Sequence, residues 1–266
     1  TGIEEVPRMG MSRLFRGNDR ETRAAVAVKV CRGDVDAGCA RFLREIHMLR
    51  ALRNPQIVAH VTDGNLVSGL PFLVTQWVPH PTLAALLARY RPLPVQAVVR
   101  FGVSLLQALD FVHTQRIVHR DVSPGNVLVD PFGRVTLLDF GLAHIAVKEQ
   151  PGLTDEGMTV GTPAYMAPEQ LLGQFSISSD VYAVGAILHE ALAGARSFAA
   201  ENDEVEARLH RDAPRLHVPG APESLTRLIA RSLRRDPSRR PATARDFASA
   251  LQGTVPLSDG PIFPSR

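Results

Sequence analysis

Residues 178–194, SSDVYAVGAILHEALAG, constrain this chain more than any other stretch. Serines suited to capping a helix lead into a run where nearly every position is apolar, leaving no polar stripe to turn toward water. Such a helix has to be enclosed on all sides, so it must lie at the centre of a lobe. The stretch Pro94–Gln115 offers a partner, with Val98, Gly102, Leu105, Leu109 and Val112 recurring at helical spacing. Arginine-rich helices follow the central one and close at PATARDFASAL.

Before the VPHP break at 78–81 the pattern changes. Residues 12–16 and 24–30 are short β-prone runs joined by the polar loop GNDRET, and Leu70–Val78 is a third. Between them Asp36–Arg53 reads as a helix with Phe42, Leu49 and Leu52 on one stripe, and Glu45 falls on that stripe. An unpaired buried carboxylate is expensive, so Glu45 needs a partner unless it sits at the rim in water. Two more short strands, Asn126–Val129 and Arg134–Leu138, flank the turn DPFG.

Composition narrows the candidates. At 266 residues and 45% hydrophobic content the chain can bury a large core, as one big domain or two lobes. No apolar run approaches about 18 residues and the N-terminus lacks the basic-then-apolar order of a signal peptide, so no membrane segment is expected. Cys31 and Cys39 are too few for a disulfide framework, which favours a reducing cytoplasm. The formal charge is +3, and the basic residues are scattered apart from RRDPSRR at 234–240. That describes a solvated surface and argues against a nucleic-acid partner. Only Lys29 and Lys148 are lysines among the 30 basic residues. A lysine retained inside the apolar strand AAVAVKV suggests a need for a compact ammonium; the alternative is an edge lysine snorkelling to water.

The polar bend HRDVSPGN at 119–126 runs directly into apolar VLV. An acid, Asp121, and an amide, Asn126, five residues apart are more than a turn requires, and suit metal and proton chemistry. With VAVK at 26–29, Glu45, DFG at 139–141 and APE at 167–169, this stretch resembles the eukaryotic-like protein kinases in order and spacing. GTPAYMAPE, Asp180 and Arg240 extend the likeness to a bacterial serine/threonine kinase domain. The resemblance implies an α+β, bilobal kinase fold: a small antiparallel sheet lobe with one key helix over 1–78, a larger mainly helical lobe over 79–253, and a tail or linker over 254–266.

It also implies the site. Lys29 holds the α- and β-phosphates of ATP and is fixed by Glu45. Asn126 and Asp139 bind magnesium, with manganese as a substitute, and Asp121 accepts the proton of a protein serine or threonine hydroxyl. Leu14, Ala27 and Leu128 line the adenine pocket, Gln76 and Val78 meet the base edge through their backbone, and Thr75 lies behind it. Glu169 and Arg240 form a buried pair. Thr154 and Thr159 are candidate phosphosites between DFG and APE, with Asp155 and Glu156 beside them, and Arg120 is placed to receive a phosphate. Thr162 packs beside the catalytic acid.

Two departures qualify this reading. Where three glycines would cover the phosphates the sequence has PRMGMS, so Pro7, Met9 and Ser12 replace them and only Gly10 remains, in an intervening position. The first strand is also short, as truncation or a mis-assigned start would make it. Ser123 stands where such kinases carry a lysine whose charge meets the transferred group. An active kinase of low or partner-dependent rate, a pseudokinase scaffold and an aminoglycoside- or choline-type small-molecule kinase all remain open. The third conflicts with GTPAYMAPE and the Asp180 helix.

Overall fold

The computed structural model describes residues 2–6, 12–32, 39–145, 162–198 and 204–263. Pro7, Met9, Gly10, Thr154, Asp155, Glu156 and Thr159 lie outside them. The chain forms two compact units, 1–79 with 138–143, and 80–137 with 144–266. The DFG residues therefore belong to the first unit, although the chain on either side belongs to the second.

In the first unit β1 (Glu4–Val6), β2 (Ser12–Asn18), β3 (Ala25–Cys31), β4 (His60–Asn65) and β5 (Pro71–Gln76) form one antiparallel sheet in the order β1-β2-β3-β5-β4. The GNDRET loop turns because the Asp19 carboxylate accepts the backbone N–H groups of Glu21 and Thr22 at 3.0 and 2.7 Å. β4 has the sequence HVTDGN, with little apolar alternation, and was not expected as a strand. It is held by pairing with β5 and by Arg50, whose guanidinium forks onto the Asp63 carboxylate while His60 Nε2 lies 2.5 Å from the same group. The bond from Arg50 holds the Asp63 carboxyl below its usual range.

The helix of this unit, α1 (Ala40–Ala51), is shorter than the span read from the sequence and buries Phe42, Glu45, Ile46, Met48 and Leu49. Its N-cap is Cys39, which is joined to Cys31 at the end of β3. The cysteine count ruled out a framework and gave no sign of this single crosslink. The fold brings the two Cα atoms to 6.1 Å, within disulfide reach, although eight positions separate them in sequence.

The second unit opens with α2 (Leu83–Arg89) and α3 (Val95–Thr114), then β6 (Ile117–Val118), β7 (Val127–Val129), β8 (Val135–Leu137) and β9 (His144–Ile145). It continues with α4 (Pro168–Leu171), α5 (Ile177–Ala193), α6 (Glu204–His210), α7 (Glu223–Ser232) and α8 (Ala244–Gln252). As its apolar surface demands, α5 is central: every residue from Ser179 to Leu192 is buried. α3 packs against α5 and α8, and Gly102 permits the approach, since a Cβ there would meet Leu188 Cδ2 at 2.7 Å and Leu251 Cδ2 at 2.9 Å. α3 is long and apolar enough, by length and composition, to cross a membrane, which the search for apolar runs overlooked; here it is mostly buried as a core helix.

The β7–β8 hairpin turns at Asp130, whose Oδ1 accepts the Phe132 and Arg134 amides at 2.8 Å each, with Gly133 at φ +81°. Residues 254–263 return to this hairpin. Ile262 and Phe263 both donate their amides to the Pro131 carbonyl, Arg100 donates to the Gly260 carbonyl, and the Phe263 side chain is buried. Beneath α5, Arg240 Nη1 and Nη2 reach the Glu169 carboxylate at 2.6 and 2.8 Å, and the Arg240 side chain is 0% exposed.

Candidate active site

Each unit carries its own share of the residues singled out from the sequence. In the first, antiparallel pairing sets Leu14, Lys29 and Leu73 side by side, and Arg16, Ala27 and Thr75 beside them. Directly opposed residues in a sheet share a face, so Leu14, Ala27, Lys29 and Thr75 lie on one surface. Gln76 ends β5, its amide bonded to the Ala59 carbonyl, and Val78 follows two residues on. Lys29 Nζ meets both oxygens of Glu45 at 2.6 and 2.7 Å, with the two residues 8% and 4% exposed. That contact answers both questions the sequence raised: the lysine within the strand and the carboxylate on the apolar stripe are partners. Desolvation makes such a pair costly to break from one side.

Asp139 Oδ2 stands 3.7 Å from the same ammonium. Asp139 adopts φ +62°, a left-handed conformation that is uncommon outside glycine, and Phe140 beside it is fully buried. The Gly141 amide donates to Asp139 Oδ1 at 3.3 Å. A lysine is thus flanked by two carboxylates from separate segments, one in direct contact and one nearby.

In the second unit the bend at 119–126 is fixed from below by Asp180. Its Oδ2 accepts the His119 amide at 2.9 Å and lies 2.8 Å from His113 Nε2, and its Oδ1 accepts the Arg120 amide at 3.0 Å. Burial alone would raise the Asp180 pKa, but the His113 bond and the neighbouring imidazoles bring it below the usual value of 3.8. Arg120 is held at φ +68°, its guanidinium 4.2 Å from the centre of the Phe175 ring.

Asp121, next in the chain, is gripped on both oxygens. Asn126 Nδ2 donates to Oδ2 at 2.9 Å and to the Asp121 carbonyl at 3.0 Å. The Thr162 amide and hydroxyl donate to Oδ1 at 3.1 and 3.2 Å. Ser123 is buried, 4% exposed, and Leu128 lies on β7, bridged to Thr82. Asn126 and Asp139, the proposed cation ligands, stand on different units. Among the described residues no group of three or more His, Cys, Asp or Glu side chains could hold a metal ion. Taken singly, each donor suits a hard cation: Asp139 is a carboxylate, and the Asn126 amide nitrogen is committed to Asp121, so that its oxygen is presented.

The sequence reading missed a network beside Thr162. The Tyr165 hydroxyl donates to Glu190, which Arg91 also meets at 2.9 Å. Burial and the Glu190 carboxylate push the Tyr165 phenol well above its usual range, so it remains a neutral donor. Arg91 and Glu190 are 99 positions apart, and the one available signal, an acid late in a nearly all-apolar helix, went unused in the sequence reading.

The family model for the protein kinase domain matches residues 8–252. The chain belongs to the protein kinase family. Its bilobal α+β architecture is that of the family, and its relatives are bacterial serine/threonine kinases. Serine/threonine-protein kinase PknK of Mycobacterium tuberculosis is 36% identical over 258 residues, covering 94% of this chain and 23% of its own length. Serine/threonine-protein kinase pkn3 of Myxococcus xanthus is 34% identical over 262 residues, covering 91% and 47%. Probable serine/threonine-protein kinase PknB of Bifidobacterium longum is 31% identical over 273 residues, covering 95% and 40%. The chain spans less than half the length of these curated relatives. By family and by these relatives it is a kinase domain of the serine/threonine class.

Proposed function

We propose that this domain transfers the γ-phosphoryl group of ATP to serine or threonine hydroxyls of proteins in the bacterial cytoplasm, as part of a signalling response. The observation that carries the reading is the double grip on Asp121 by Asn126 and Thr162. Donors from two segments thereby fix the orientation of this carboxylate, as a general base held ready for a hydroxyl proton requires. In the reaction the substrate oxygen bonds to the γ-phosphorus, the bond to the β–γ bridging oxygen breaks, ADP leaves, and Asp121 takes the hydroxyl proton. Lys29, held by Glu45, neutralises the α- and β-phosphates. The sheet face carrying Leu14, Ala27 and Thr75 receives the base, with Gln76, Val78 and Leu128 completing its contacts. Magnesium, or manganese in its place, would be held by Asp139 and Asn126 and would supply charge neutralisation at the phosphates.

Ser123 tempers the rate. A hydroxyl can hydrogen-bond to a phosphoryl oxygen but brings no charge, so turnover should fall below that of a lysine-bearing kinase. The same residue favours the second reading, a scaffold that binds nucleotide without transferring phosphate. Two measurements separate the readings: autophosphorylation with MgATP, and the thermal shift produced by ATP and magnesium. Wild type should label itself while Asp121→Asn does not, with both proteins stabilised by nucleotide. Stabilisation of wild type without labelling, on itself or on a generic protein substrate, would favour the scaffold; labelling that survives in Asp121→Asn would refute the role of that residue.

A further inference from the structure

The geometry points to the Cys31–Cys39 pair as a reversible thiol-modification site that sets the order of α1 and, through it, the Lys29–Glu45 contact. Lys29 and Cys31 are two residues apart on β3 and share its face; Cys39, the N-cap of α1, and Glu45, within the helix, are both buried. Strand and helix are therefore joined twice, by an ion pair at 2.6 Å and by a covalent bond toward the helix start. The covalent link acts where the helix is weakest. Cys39 occupies the N-cap, no side chain caps the helix there, and its first turn contains no acid. A position that Ser, Thr, Asp or Asn would normally fill is held by a sulfur–sulfur bond instead. In the reducing cytoplasm assumed by the proposed function, a lone disulfide is more often a redox sensor than a structural brace.

The exchange is balanced as follows. One thiolate of a dithiol reductant forms a new S–S bond to one protein sulfur, and the other protein sulfur leaves as thiolate and takes a proton. The second reductant thiolate then displaces the first protein sulfur, which is protonated in turn. Two electrons pass to the protein and the dithiol becomes a disulfide. Both cysteines are buried, 2% and 1% exposed, so exchange needs the first turn of α1 to open and should be slow beside that of an exposed disulfide.

The test compares the full chain before and after dithiothreitol, with free thiols counted by alkylation and mass. The readout is amide hydrogen exchange over residues 42–46, followed by autophosphorylation. Reduction should release two thiols and lower protection in the first turns of α1 by about tenfold. Reoxidation by a small-molecule disulfide should restore it. Cys31→Ala should resemble the reduced chain and ignore dithiol. Cys39→Ser in that background supplies a capping hydroxyl and should recover part of the protection, a gain that a mere packing defect would not produce.

Equal protection of the oxidised and reduced chains would overturn the inference. So would two alkylatable thiols that never pair under oxidant. The activity arm alone rests on the phosphoryl-transfer reading. A redox difference in exchange with no labelling in either state would defeat that reading and leave this one standing, whereas labelling with equal exchange would do the reverse.

Discussion

Removing Glu169 tests how this domain is braced. Arg240 is fully enclosed, and its guanidinium meets the two Glu169 oxygens at 2.6 and 2.8 Å and the carbonyls of Ser178, Arg234 and Arg235 at 3.0, 2.7 and 2.9 Å. Glu169→Ala leaves those dipoles in place but removes the only anion in direct contact with the cation among these bonds. Breaking a buried pair from one side costs about 3–5 kcal/mol, a large part of the roughly 5–15 kcal/mol that holds a domain together. At about 2–4 °C per kcal/mol for a chain of this size, the midpoint should fall by roughly 6–20 °C. Urea and thermal unfolding followed by circular dichroism would measure it. Replacing both partners, Glu169→Leu with Arg240→Met, should recover at least half of the loss, because no charge is then stranded. The recovery stays incomplete because three carbonyls lose their donor. A loss under about 1 kcal/mol in Glu169→Ala, or a double variant worse than the single, would refute the argument that the stranded charge dominates.

Other outcomes follow from the same structure. Ser123→Lys should raise the turnover number by roughly tenfold, measured as steady-state ADP release; an unchanged rate would mean that charge at that position does not limit transfer. Asp180 has a folded pKa below 3.8, so the fold favours its ionised form. Its contribution is therefore complete above the ordinary carboxylate value and is lost as pH falls through the depressed folded one. Asp180→Asn should cost about 2 kcal/mol at neutral pH and flatten the acid limb of the stability curve; an acid limb matching wild type would count against it. Gly185→Ala would place a Cβ 2.1 Å from Ser232 Oγ, between α5 and α7, and should destabilise by about 1–3 kcal/mol, with partial rescue by Ser232→Gly in urea titrations.

The sequence was most informative where one residue type conflicted with its surroundings. Lys29 in an apolar strand and Glu45 on an apolar stripe each looked misplaced alone, and their 2.6 Å contact accounts for both. The all-apolar run of α5 allowed only a central position, which it occupies. Information failed where stability comes from partners rather than pattern. β4 is polar enough to pass for a loop and is a strand because β5 and Arg50 hold it. The Tyr165–Glu190–Arg91 cluster depends on long-range packing that no local spacing encodes. Two cysteines carried no signal of pairing, because that depended on where β3 ends and α1 begins.

The double attachment of Ile262 and Phe263 to the Pro131 carbonyl has a mechanical consequence. A pull applied at residue 263 would load two hydrogen bonds and a buried ring at the turn of the β7–β8 hairpin before any tension reached α8. That mooring acts as strain relief, so the last helix of the domain is shielded from whatever tugs on the chain past it.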